Sequence, residues 1–346
     1  MKTVKKVNYK YNIIYKFPSP FLDDSLKLAK RSPPDNLDVF RKDYGRILGY
    51  LEAYDNEYQR DAIHTLLQFY DRTLRCFVFP DYLLAPTLEE YSSILDIPIL
   101  HQVPFHASMK KLDATRVAVA LYLSESIVKA NFKKKGSVCG YPLGFLLKEA
   151  GGMDEKEDWR PLNVFLACCI YGIVLFSNEV KFVDENVVAI FIQRNHVPTL
   201  LRDVYHFIYS RSFKGNGVVV HYYAPLLYQW FRSQLPCQRA FLDTQDTLKL
   251  SQRMKGLTSK DIDWYNHSLN KLENKEVIFS YGEFPNVPLM GMRSGINYNP
   301  SLSLRKLGYA LKIPLRTKTC KNPCFMMCLI VLDGRKELPR HGGTFI

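Results

Sequence analysis

Val164 to Phe176 reads VFLACCIYGIVLF, a run with no charged residue and no polar face at any helical phase. A helix that is apolar all round has to be enclosed by other elements or by lipid. The run is shorter than the ~18 residues that a bilayer crossing needs. It therefore predicts a helix buried on every side, at the centre of one sizeable core. A chain of 346 residues is long enough to build that core.

The flanking sequence supplies the layers. Val39, Tyr44, Ile47, Leu48 and Leu51 recur near the 3.6-residue period and predict an amphipathic helix over 37–53. Ala62, Ile63, Leu66, Leu67 and Phe69 do the same over 57–70. Cys76 to Phe79 reads as extended, stopped by Pro80. Thr87 and Glu90 have the spacing of a capping box, hydroxyl to the third amide and carboxylate back to the first. They open a helix that Pro98 closes. Further helices are expected over 113–122, 125–134, 142–150, 161–176, 184–194, 199–211 and 219–234, the last kinked at Pro225. Thr258 and Asp261 open another through Leu269. Val277–Ser280 reads as a strand, PNVPLMGMRSGINYNP as a loop and Pro300–Tyr309 as a helix. Strands this sparse cannot make a central parallel sheet, and the absence of a fixed period argues against a solenoid. The expected fold is mainly α: a single large multi-helix domain with a few short strands, flanked by poorly ordered basic ends.

The net charge of +13 favours anionic partners such as nucleic acid or acidic lipid. It is unevenly placed. Lys2, Lys5, Lys6, Lys10 and Lys16 precede the first acid, Asp23, and Lys312, Arg316, Lys318 and Lys321 crowd the other end. Cys76, Cys139, Cys168, Cys169 and Cys237 are scattered, mostly in apolar stretches, and read as buried thiols of a reducing compartment. The beginning of the chain lacks the apolar core of a signal peptide. No membrane partner is expected.

One segment carries binding logic. Val117 to Phe132, VAVALYLSESIVKANF, has the pattern of a helix-turn-helix. Ala118 is small enough for two helices to approach, Leu121 and Leu123 flank the turn, and Val128 and Phe132 face back to the first helix. Ser124 caps the second helix, with Glu125, Ser126 and Lys129 outward at its start. In such units the second helix enters the major groove of DNA. Lys133, Lys134 and Lys135 follow and can hold phosphates. Tyr122 stands where the turn usually wants glycine, and a left-handed tyrosine is strained. The plainer alternative is a structural helix pair, with Ile127 and Val128 both packed inside.

Nothing else carries chemistry. Cys320, Cys324 and Cys328 have neither zinc nor iron–sulfur spacing, and only His341 lies near as a fourth ligand. His101 and His106 do not share a helical face. His196, His206 and His221 read as partly buried hydrogen-bonding groups. Glu90 has a capping role and Glu89 a solvent-facing one. No nucleophile elbow, zinc helix or phosphate loop occurs. No catalytic residue, metal ligand or cofactor is expected.

The stretches Leu66–Ile99, DWRPLNVFLACCIYGIVLFSNEVKFVD, VPTLLRDVYHFIYSR, APLLYQWFRSQLP, LTSKDIDWYN, EVIFSYGEFPNVPLMG and GINYNPSLSLRKLGYA follow one another in order. Together they resemble an uncharacterised, legume-type plant family related to the plant mobile domain and carried by transposable elements. The resemblance covers 37–310. It implies a mainly helical nuclear protein, with the cytoplasm as the alternative location, and it brings no catalytic residues. The expected organisation is a basic disordered arm over 1–35, the helical domain over 36–310, and a tail over 311–346 that reads as disordered or as a shifted frame. The function expected is non-enzymatic binding of DNA, RNA or nuclear proteins. The alternatives are an inactive remnant of a mobile element and, third, an enzyme of unknown reaction.

Overall fold

The computed structural model describes residues 15–16, 23–52, 57–71, 76–80, 82–98, 113–176, 179–194, 196–211, 218–219, 224–235, 250–258, 260–262, 287–290, 295–298 and 329–330. The fold is mainly α, with a few short strands: β1 (Tyr15–Lys16), β2 (Tyr70–Asp71), β3 (Cys76–Val78), β4 (Leu83–Leu84), β5 (Lys133–Lys135), β6 (Val138–Pro142), β7 (Phe182–Asp184), β8 (Val218–Val219), β9 (Val287–Met290), β10 (Gly295–Tyr298) and β11 (Leu329–Ile330). Its helices are α1 (Asp23–Arg31), α2 (Pro34–Tyr44), α3 (Gly49–Glu52), α4 (Glu57–Leu67), α5 (Leu88–Leu95), α6 (Ala114–Ala120), α7 (Glu125–Asn131), α8 (Leu143–Asp154), α9 (Trp159–Ile170), α10 (Glu185–Gln193), α11 (His196–Arg211) and α12 (Ala224–Ser233). A last short helix runs over Leu250–Gly256.

The apolar run forms most of α9 and continues as a π-helical segment, Tyr171–Leu175. Every residue from Leu162 to Phe176 is buried. Around it pack α8, α1, α2 and α10. Gly172 lies in the π-helical segment, and a Cβ there would fall 2.4 Å from Val183 Cγ2, so the close approach requires glycine. The centre also holds polar locks. Asn36 and Asn163 donate to each other across α2 and α9 at 3.0 and 2.7 Å, satisfying both buried amides.

A second layer of α4, α5, α11 and α12 adjoins this core. The capping box forms as expected: Thr87 Oγ1 accepts from Glu90 N, and Glu90 Oε2 accepts from Thr87 N at 3.0 Å. The same fully buried carboxylate also accepts from Trp230 Nε1 at 2.9 Å and Gln234 Nε2 at 3.0 Å. One local cap thus doubles as the polar bolt between α5 and α12. Glu89 is buried too, against the expectation of solvent, because α11 and α12 both cover this short helix.

Several boundaries differ from the sequence reading. The expected helix over 37–53 is broken at Gly45, which has φ 68° and where a Cβ would meet Leu95 O; the α2 helix before it buries Phe40 and Tyr44 and leaves Val39 exposed. Pro225 is the second residue of α12, where its missing N–H leaves no helical bond unmade. It starts that helix and does not kink it, and Val218–Val219 is a strand paired in parallel with Tyr15–Lys16. The arm itself is partly built: α1 buries Leu28 and Ala29 against the body, and Arg31 reaches Asp154 at 2.9 Å. Val287–Met290 and Gly295–Tyr298 form an antiparallel hairpin where a loop was expected, extended by Leu329–Ile330 from the tail. Main-chain pairing between segments distant in sequence is invisible to local periodicity. The expected helix end at 263–269, the strand at 277–280 and the helix at 300–309 lie outside the described residues.

Candidate nucleic-acid interface

The helix-turn-helix pattern folds as α6, a tight turn and α7. Asp113 caps α6 by accepting from Thr115 N at 3.2 Å. Val117, Ala118 and Leu121 turn inward, with Val128 of α7 meeting them. The turn closes on Tyr122, at φ 56°. Leu123 N donates to Ala118 O at 2.9 Å and Tyr122 N to Val119 O at 3.4 Å. These two bonds form a Schellman motif, whose left-handed position is normally glycine. Ser124 caps α7, its hydroxyl accepting from Ile127 N at 3.4 Å.

The outer side of α7 is open. Ser126, Ile127, Lys129 and Ala130 are exposed, while Val128 is buried. Glu125 accepts from Lys129, one helical turn on, and from Thr115 Oγ1 at 3.0 Å. The lysine, then the threonine, hold its carboxyl below the usual range, and the same bond raises the Lys129 ammonium. The Thr115 bond fastens α7 to α6, and Lys129 pairs the Glu125 charge within α7. Phe132 lines a hollow that Ala114 and Val117 of α6 also line; it is 41% exposed and meets the edge of Tyr141, ring centres 5.6 Å apart.

The three lysines are not on a helix. α7 ends at Asn131, and Lys133–Lys135 form the edge strand β5 of a small antiparallel sheet. Its partner β6 (Val138–Pro142) pairs in turn with β7 (Phe182–Asp184). Gly136 takes the first position of the two-residue turn with φ 62°, the place where a hairpin of this kind needs glycine. The signal was present in the sequence as Gly136-Ser137 between a polar run and VCGYP. Lys133 and Lys134 are exposed, with no acid in ion-pair range among the described residues. Lys135 is tied down, donating to Val180 O and standing 3.9 Å from Glu179. Behind the unit, between α6, α7, β6 and α10, lies a hollow of about 170 Å³ walled by Val117, Val128, Phe132, Tyr141 and Val188.

The unit therefore brings Ser124, Glu125, Ser126 and Lys129 onto one helix, with Lys133, Lys134 and Lys135 on the hairpin beside it. Sequence reasoning missed Thr115, Glu179 and Val180, which fix two of these charges in place. A family model described as a domain of unknown function, DUF7745, matches residues 26–326. The chain belongs to that family. Comparison with curated proteins and with solved structures gave no match. The DUF7745 match starts inside α1 and so takes in a helix that the resemblance had left outside. It also runs past 310 into the tail.

Other candidate chemistry in the DUF7745 domain is structural or lies elsewhere. Cys168 and Cys169 are buried in α9 and burial pushes both thiols up, Cys168 to about 12, which makes them poor nucleophiles. His196 is buried, and its Nδ1 shares a 2.6 Å hydrogen bond with the Tyr171 hydroxyl. Among the described residues no cluster of His, Cys, Asp and Glu could hold a metal. Cys320, Cys324, Cys328 and His341 lie outside them, as do His101, His106 and His221. Among the described residues no helix is long and apolar enough to cross a membrane.

Proposed function

We propose that this DUF7745 protein is a non-enzymatic nuclear protein that binds nucleic acid through α7 and the β5–β6 hairpin. The observation that carries the reading is the open juxtaposition of the two. A capped helix with an exposed outer face runs directly into an edge strand bearing two exposed lysines, while the inner face of the unit is packed on the body. A helix that fits a groove and a cationic arm that follows the backbone are the two parts such recognition needs. The segments that resemble the plant mobile domain support placing the chain among transposon-associated proteins, and the nuclear location comes from the same resemblance.

The test is a gel shift with the full chain, so that the basic ends stay the same in every arm. Lys133, Lys134 and Lys135 are changed together to Glu. Binding should weaken strongly at low salt, and the loss should shrink as salt rises. Lys133 and Lys134 point to opposite faces of the strand, so one lysine on a phosphate corresponds to a drop of roughly 1 in the slope of log affinity against log salt. Unaltered retardation of the triple variant, or none by the wild type at micromolar protein in low salt, would sink the proposal. A second reading has its own observation: β5 is a sheet edge, and lysines on an edge prevent pairing with another chain. On that reading the chain is a folded remnant without a ligand: the triple Glu variant leaves any retardation unchanged, and replacing the same three lysines with Val makes the chain self-associate.

A further inference from the structure

We infer that the ligand of this site is duplex DNA, read through the methyl groups of thymine in the major groove. The inference rests on the nucleic-acid reading proposed above and adds the base chemistry to it. With Val128 turned into the core, the ridge opposite on a 3.6-residue helix is Ser126 and Ala130, one turn apart, flanked by Ile127 and Lys129.

Reading guanine calls for an Arg or Lys on O6 and N7, and reading adenine for an Asn or Gln on N6 and N7. On α7 such groups are engaged. Lys129 is bound to Glu125. The Asn131 amide donates to the Ile127 carbonyl at 2.9 Å. What the ridge offers is the Ile127 side chain, 38% exposed, the Ala130 methyl, and one hydroxyl on Ser126, which lies 3.0 Å from the Ser124 hydroxyl. Apolar carbon has one counterpart on the major-groove edge of a base pair, the C5 methyl of thymine. The setting is apolar more widely: of the seven exposed large hydrophobics among the described residues, Val119, Tyr122, Ile127 and Phe132 belong to this unit and Val180 touches its hairpin.

The reach of the unit suits a duplex. α7 is about 10 Å long at 1.5 Å per residue, and β5 adds about 10 Å at roughly 3.3 Å per residue. About 10 Å of helix spans about three base pairs at 3.4 Å each. Lys133 and Lys134, which follow α7 directly, point to opposite faces of β5, so that one of them can follow the backbone bordering the groove. Duplex RNA fails on two counts: its major groove is too deep and narrow for side chains to read, and uracil has no methyl.

The experiment selects bound sequences from a random DNA duplex pool with the full chain. The best site is then remade with every thymine replaced by deoxyuridine, and as an RNA duplex. Enriched sites should contain A·T pairs, and deoxyuridine should raise Kd about fourfold for each methyl that Ile127 or Ala130 covers. In the Ile127→Ser chain the deoxyuridine penalty should shrink by the roughly fourfold share of the methyl that Ile127 covers. Equal affinity of the wild-type chain for both, enrichment of sites without A·T pairs, or preference for RNA would overturn the thymine inference while leaving nucleic-acid binding in place. Failure to retard any duplex overturns both.

Discussion

Tyr122 occupies a backbone conformation that costs an ordinary residue about 1 kcal/mol or more. It does so because the Schellman bonds at the end of α6 require a left-handed residue there, and α7 cannot start at its present angle without them. Its ring is about half exposed, so little packing compensates. Comparing two truncations isolates the strain, since both remove the ring and only one keeps a Cβ. Tyr122→Ala should be less stable than Tyr122→Gly by about 1 kcal/mol, even though glycine has the more flexible unfolded chain. Urea melts of the two variants decide it, and equal midpoints would mean that the turn is not strained.

Among the elements, the junction between the π-helical segment and α11 carries a pH dependence. Burial lowers the His196 imidazole to about 3, because the charged ring cannot be solvated there. In the unfolded chain it titrates near 6.5. Between those values the unfolded state holds a proton that the folded state does not. The stabilising contribution is therefore complete above about pH 6.5 and falls away as pH drops toward 3. From pH 7.5 to 5 the loss amounts to about 2 kcal/mol, at ~1.4 kcal/mol per unit below 6.5. Denaturant midpoints at those two pH values should differ less in His196→Asn than in the wild type. An unchanged difference would show that this histidine does not govern the acid limb. The ring shares its hydrogen bond with Tyr171, which sits where the central helix changes its winding.

At the scale of the whole molecule, α1 belongs to the body. Its Leu28 and Ala29 sit in the same core cluster as α9. The Arg31–Asp154 pair adds little, because the arginine is largely exposed. The stability that α1 contributes is thus apolar. Leu28→Ala should cost about 2–3 kcal/mol, read as a lower thermal midpoint of the full chain. A midpoint equal to the wild type would return α1 to the status of a loose arm.

Residues within four positions of one another determined much of this protein by themselves. The unbroken apolar run of α9, the Thr87–Glu90 cap, the inward stripe of α4 and the left-handed Tyr122 are all legible as sequence, because helical burial and capping depend on local spacing. Of the candidate interface, the Ser124 cap and the outward Ser126 and Lys129 were legible for the same reason. The tertiary structure decided what depends on distant partners. Lys133–Lys135 became a strand because β6 pairs with them on one side and with residues 182–184 on the other. The helix broke at Gly45 because the chain there turns to φ 68° and Arg46 N bonds to Leu95 O, leaving no room for a Cβ. Glu89 was buried by two helices more than a hundred residues away in the chain. A strand, a break and a buried charge are each set by what lies across from them, and a single sequence does not say what that will be.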